Sequence, residues 1–191
     1  DYSWEQFKKE VRAVFGESSK IEMNSNHAVL ILQAEARTVQ GWLHQNHPEL
    51  YMTSSGTNIT IFKEVGLPVD VISRFGIRGM SGSHALGHTR MATESAVTTS
   101  GSHPFSTGAD LCLVHNGSMS NHNRMRRTLQ FHGVEFQTEN DSEVAAGYLT
   151  WRLQEGDTLD EALARGFEEL DGFYTFAVGT HDGFAVVKDP I

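Results

Sequence analysis

Four short runs hold most of the side chains able to do chemistry: Gly87-His88-Thr89-Arg90-Met91-Ala92-Thr93, Ser102-His103-Pro104-Phe105, Val114-His115-Asn116-Gly117 and Asn140-Asp141-Ser142-Glu143-Val144. Taken singly, each has an ordinary structural explanation. A lone arginine in a strand is most often a surface or ion-pairing residue, and Asn-Gly is the commonest signal for a tight hairpin turn. The hairpin explanation is weakened here, because Asn116-Gly117 is followed by Ser118-Met119-Ser120-Asn121 and a helical pattern instead of a returning strand. The single cysteine, Cys112, lies in the apolar run Leu111-Cys112-Leu113-Val114, where a thiol acts as a small buried hydrophobe. His115 stands three residues on, and strand alternation sends the two side chains to opposite faces, a poor arrangement for a nucleophile and its base. Ten histidines invite a metal reading, but neither His84 with His88 nor His122 with His132 comes with a convincing third ligand. No metal site is expected.

These residues need a scaffold. Ser3, Glu5, Glu10 and the apolar Trp4, Phe7, Val11 and Phe15 predict a capped amphipathic helix closed by Gly16. A strand over His27–Leu32, a short helix over Thr38–Gln45 and a strand over Thr57–Phe62 together predict a small β-α-β layer. Leu67–Phe75 reads as a short helix before the Gly-rich stretch Gly76–Gly87, and His84–Ala92 as a strand. Beyond it come a strand over Leu111–His115, helices over about Asn121–His132 and Asp141–Gln154, and a third helix capped by Thr158 and running to about Glu169. Phe173–Val178 and Phe184–Val187, separated by His181-Asp182-Gly183, read as a hairpin. Strands, then helices, then strands fit an α+β sandwich better than alternating βαβ units.

Composition narrows the class of function. The 191 residues carry a formal net charge of −9 and show no biased tract, which suits one globular domain and argues against nucleic acid as the main partner. No apolar run approaches the roughly 20 residues needed to cross a bilayer. One cysteine leaves no disulfide, so the cytoplasm is the default compartment.

In order and spacing the four runs resemble the class II glutamine amidotransferases, the family of glucosamine-6-phosphate synthase, amidophosphoribosyltransferase and glutamate synthase. The resemblance spans about residues 84 to 191. The fuller strings GHTRMATESAVTTSGSHPF, CLVHNGSMSNHN and ENDSEVAA look closest to glutamate-synthase-like amidotransferase subunits, including the small subunit of N-methylglutamate synthase. The resemblance implies the four-layer αββα sandwich of N-terminal-nucleophile hydrolases for residues 66–191, with residues 1–65 as a peripheral helix and β-α-β addition. It implies hydrolysis of L-glutamine to glutamate and ammonia. Arg90 would hold the substrate α-carboxylate and Asp141 its α-ammonium, although Asp141 also suits the N-cap of the following helix. Asn116 and Gly117 would stabilise the oxyanion, with Thr93 and His103 lining the pocket. Glu94 to Ser102 sits where the family has a lid. Two positions depart from the glucosamine-6-phosphate synthase pattern: Met91 stands for a Trp and Glu94 for a His.

The family's nucleophile is a cysteine at the mature N-terminus, and Asp1 cannot replace it. The expectation is an upstream segment carrying that cysteine, with ammonia passed to a synthase partner in a hetero-oligomer. No cofactor is expected in this chain; flavin (FMN), with an iron–sulfur cluster as a further option, belongs to the partner subunits. The alternative is a glutamine-binding or regulatory subunit that keeps the pocket and does no chemistry.

Overall fold

The computed structural model describes residues 2–90 and 97–189. Chain order begins with α1 (Trp4–Phe15), β1 (Lys20–Asn24), β2 (His27–Ile31) and α2 (Ala36–Asn46). The amphipathic pattern of α1 does what its spacing predicts: Phe7 and Val11 are buried against Val39 and Leu43 of α2, with Trp4, Phe15 and Trp42 packed around them. Its start differs from expectation, because the Ser3 side chain makes no capping hydrogen bond. β1 and β2 form an antiparallel hairpin in which Asn24 faces His27.

The N-terminal layer is therefore α-β-β-α, and this corrects the expected β-α-β order. Thr57–Phe62 is not a strand, and the reason is visible in its backbone donors. The N–H groups of Thr57, Asn58 and Ile59 all point at the carboxylate of Asp110, at 2.7 to 3.0 Å. A segment whose donors converge on one side chain cannot also feed a ladder. Gly56 makes the approach possible, since a Cβ there would lie 2.4 Å from that carboxylate. The link is completed by a single parallel bridge between Ser55 and Ala109.

A short helix α3 (Pro68–Arg74), with proline in its first turn, precedes a 3-10 turn at Ile77–Gly79. The expected strand over His84–Ala92 is irregular from His84 to Arg90, and its last two residues lie outside the described ones.

The main body follows as β3 (Leu111–Met119), α4 (His122–Phe131), α5 (Asp141–Gln154), α6 (Leu159–Glu169), β4 (Gly172–Thr180) and β5 (Gly183–Lys188). The strands form one antiparallel sheet with β4 in the middle. Period-two alternation puts Leu111, Leu113, Met119, Tyr174, Phe176 and Val178 on the face that meets the helices, where they join one core with Met125, Leu129, Val144, Leu149 and Leu163. Helix α5 lies at the centre, and every residue from Ser142 to Thr150 is buried. The opposite sheet face leaves Phe173, Phe184 and Val186 more than half exposed. The class is α+β as expected; the main body has one three-stranded sheet with helices on one of its faces, and the N-terminal layer adds the two-stranded β1–β2 sheet.

Candidate functional site

The site grows from the junction of β3 and α5. β3 runs four residues beyond His115 and carries Asn116 and Gly117 within the ladder, where they face Thr175 and Tyr174 of β4. Both are exposed. Gly117 has φ of 136°, and a Cβ there would sit 2.1 Å from the Phe173 carbonyl oxygen. Close approach of β4, rather than a turn, requires the glycine.

Helix α5 begins with Asn140 as its cap: the Asn140 side chain accepts from Ser142 N–H at 2.9 Å. This corrects the capping role considered for Asp141. Asp141 is the first helical residue, and its Oδ2 accepts from the Met119 backbone N–H on β3 at 3.0 Å. Its Oδ1 lies 3.4 Å from Ser142 Oγ and 3.8 Å from His115 Nδ1. The carboxylate thus ties the helix start to the strand two residues past the Asn-Gly pair.

Ser142 is the hub. Its Oγ is 2.9 Å from His103 Nε2 and 2.9 Å from His115 Nδ1. One hydroxyl proton cannot be donated to both rings, so at least one imidazole nitrogen here donates to the oxygen. The rings of His88 and His103 lie against each other, centroids 4.2 Å apart. Burial drives all three imidazoles toward the neutral form. His103 is pushed down to about 3 by burial, helped by His88, His115, Arg90 and Lys63. His88 is lowered by burial and by Arg90, and His115 by burial against the opposing pull of Asp141. His88 Nδ1, His103 Nδ1 and His115 Nε2 are buried with no hydrogen-bond partner among the described residues.

Arg90 is exposed, and its Nη1 donates to the Gly101 carbonyl at 2.7 Å. Gly101 belongs to a turn that bonds to itself: Ser102 Oγ donates to Thr98 O at 2.9 Å and Gly101 N–H to Thr98 Oγ1 at 3.1 Å. Arg90, His103, Asp141 and the end of β3 are therefore linked through Gly101 and Ser142 in one continuous set of contacts. Thr93 and the first part of the expected lid, Glu94 to Ala96, lie outside the described residues.

A model of the glutamine amidotransferase domain family matches residues 88–191, over half of the chain. The chain belongs to that family. It is 53% identical over 177 residues to the glutamine amidotransferase-like protein GlxB of Rhizobium meliloti strain 1021, covering 92% of this chain and 59% of that protein. It is 30% identical over 131 residues to glutamine–fructose-6-phosphate aminotransferase (isomerizing) of Vibrio parahaemolyticus, covering 68% of this chain and 21% of that protein. Among solved structures it is similar to the glutamine phosphoribosylpyrophosphate amidotransferase of B. subtilis complexed with ADP and GMP, with a TM-score of 0.57 and 28% identity over 72% of this chain and 30% of that one. The chain thus spans about three-fifths of GlxB and smaller shares of the other two. Its fold is that of the N-terminal-nucleophile, class II amidotransferases.

Cys112 is buried at 7% exposure, its thiol raised by burial, and its Sγ lies against Gly179. His115 packs on Phe176 and Ser142 from the other side of the sheet. The two form no nucleophile–base pair. No group of three or more His, Cys, Asp or Glu among the described residues is placed to hold a metal ion, and no described helix is long and apolar enough to cross a membrane.

A cavity of about 730 Å³ lies elsewhere, between the N-terminal layer and residues 49–63; Phe7, Val39, Met52, Lys63 and Ser100 line it, and none of Arg90, Asn116, Gly117 or Asp141 does. The connected contacts above, and not that cavity, join the four sequence motifs. Two residues that the sequence does not mark stand at its edge. Lys63 is buried, with its ammonium against three backbone carbonyls, and burial pushes it down to about 8 while Glu143 opposes the shift. Glu64 holds Thr99 Oγ1 at 2.6 Å. Neither stands in a motif, because a single Lys-Glu after an apolar pair reads like any surface pair.

Proposed function

We propose that this chain is the glutaminase portion of a class II amidotransferase, hydrolysing L-glutamine to glutamate and ammonia for a synthase partner. The observation that carries the reading is the Ser142 hub, which brings His103, His115 and Asp141 to the end of β3 that bears Asn116 and Gly117. Arg90, braced on Gly101, holds the substrate α-carboxylate by a two-pronged grip. Asp141 supplies the anion for the α-ammonium; its Oδ1 is partnered by a neutral hydroxyl and by His115, which burial keeps neutral, so its negative charge is left for a cationic guest. Asn116 and the Gly117 N–H stabilise the tetrahedral oxyanion, an effect worth about 10²- to 10³-fold in rate per donor. Thr93 and His103 line the pocket.

The nucleophile in this reading is a cysteine supplied outside residues 1–191, since burial and a raised thiol remove Cys112 from the role. The acceptor is a glutamate-synthase-like enzyme of the N-methylglutamate synthase type, with FMN in the partner subunits and the assembly a cytoplasmic hetero-oligomer. Ammonia release from glutamine by the full-length protein separates this from a subunit that only binds glutamine.

Replacing Arg90 by Lys converts a planar fork into a point charge and weakens glutamine binding by about tenfold or more. Calorimetric titration with glutamine measures it, and unchanged affinity would remove Arg90 from the carboxylate site.

A further inference from the structure

The chain from Ser100 to Pro104 is gripped on alternate carbonyls. Lys63 Nζ donates to Ser100 O at 3.0 Å, Ser102 O at 3.0 Å and Pro104 O at 3.4 Å. The intervening Gly101 carbonyl accepts from Arg90 instead. The Lys63 ammonium also sits 4.5 Å over the Phe105 ring. Next to it, Glu64 Oε1 accepts from Thr99 Oγ1 at 2.6 Å, while Glu64 Oε2 is anchored by Arg74 at 3.1 Å and by Asn26. A lysine that is 93% removed from water and spends all three of its N–H donors on one short segment holds that segment strongly, because a buried cation that loses those carbonyls is left with its desolvation uncompensated.

We propose that Lys63, assisted by Glu64, is a positioning residue for glutamine recognition: it clamps Thr99–Pro104 from the N-terminal side so that Gly101 braces Arg90 and His103 reaches Ser142. The inference rests on the glutaminase reading for its functional half. Its structural half stands on the hydrogen bonds alone. Residues 1–65 thereby gain a role in the site, since Lys63 reaches it from the segment that joins the N-terminal layer to α3.

The test uses Lys63→Met in the full-length protein, a change that keeps the apolar stem and removes the donors. In the free protein, amide exchange across residues 98–104 is expected to accelerate about tenfold or more, as a local opening that no longer breaks the clamp. In glutamine hydrolysis, KM is expected to rise about tenfold with kcat changed less than about twofold, the pattern of lost ground-state binding. A purely structural role would lower the active fraction and leave KM alone. Unchanged exchange, or faster exchange with unchanged KM, overturns the proposal. If the unaltered protein neither binds nor hydrolyses glutamine, the glutaminase reading fails, and the exchange measurement by itself decides whether the clamp exists. Should Lys63→Met not fold, Thr99→Val removes the Glu64 contact alone; a smaller change in the same two quantities supports the clamp and no change in either overturns it.

Discussion

Gly117 shows how little room a single residue can have. Its φ of 136° and the Phe173 carbonyl 2.1 Å from the place a Cβ would take leave no alternative side chain. Gly117→Ala is expected to destabilise the protein by roughly 3 kcal/mol, combining a disfavoured backbone angle with a displaced strand. Urea unfolding measures it, and a loss below about 1 kcal/mol would mean that β4 yields easily. Asn116 beside Gly117 projects on the exposed face and makes it polar.

At the scale of an element, α5 is the part that gathers the site. It is flanked by β3, α4 and α6 and buried along most of its length, so its position is fixed by the core and its first turn is fixed with it. The Asn140 cap sets where that turn begins, and Arg126 reinforces the approach by donating to the Thr138 and Asn140 carbonyls at 2.7 and 3.2 Å. Glu143, 3% exposed, takes the Gln137 and Thr138 N–H groups at 2.8 and 2.7 Å and holds the preceding loop. Asn140→Ala is expected to cost about 1 kcal/mol and to speed amide exchange at Ser142. Thermal unfolding and exchange by NMR check both; full retention of protection at Ser142 would show that Asp141 and the core hold the helix start without the cap.

For the molecule as a whole, acid is the revealing variable. His103 titrates near 3 in the folded state against a reference of 6.5, and His88, His115 and His27 are also lowered by burial. Each takes up a proton less readily when folded than when unfolded, so as pH falls the unfolded chain binds more protons. The contribution of these histidines is present above about pH 6.5 and is lost as pH falls below it. His103 alone accounts for on the order of 2 kcal/mol between pH 6.5 and pH 5. Asp110, lowered to about 2 by the backbone N–H groups of residues 57 to 59 and the Asn58 side chain, adds a second loss only from about pH 4 downward. Urea unfolding at pH 7.5, 6 and 5 is expected to show the first decline, and His103→Gln to reduce it. A flat profile above pH 5 would mean that the histidine cluster opens to solvent.

Local sequence determined much of this protein. The α5 boundaries, the Thr158 capping box of α6 and the β4–β5 hairpin follow from caps, periodicity and turn residues, all interactions within a few positions along the chain. The four motifs likewise marked Arg90, His103, Asn116, Gly117 and Asp141 before any fold was known. Tertiary structure decided the rest, because the deciding partners are far apart in sequence. Asp110 takes the donors of a segment that reads as a strand, across about fifty residues. Ser142, an unremarkable second residue of a helix, becomes a hub only when β3 and the Ser102–Phe105 run fold beside it. Lys63 carries no local signal, since a buried cation is defined by the carbonyls around it, and those come from a loop nearly forty residues away.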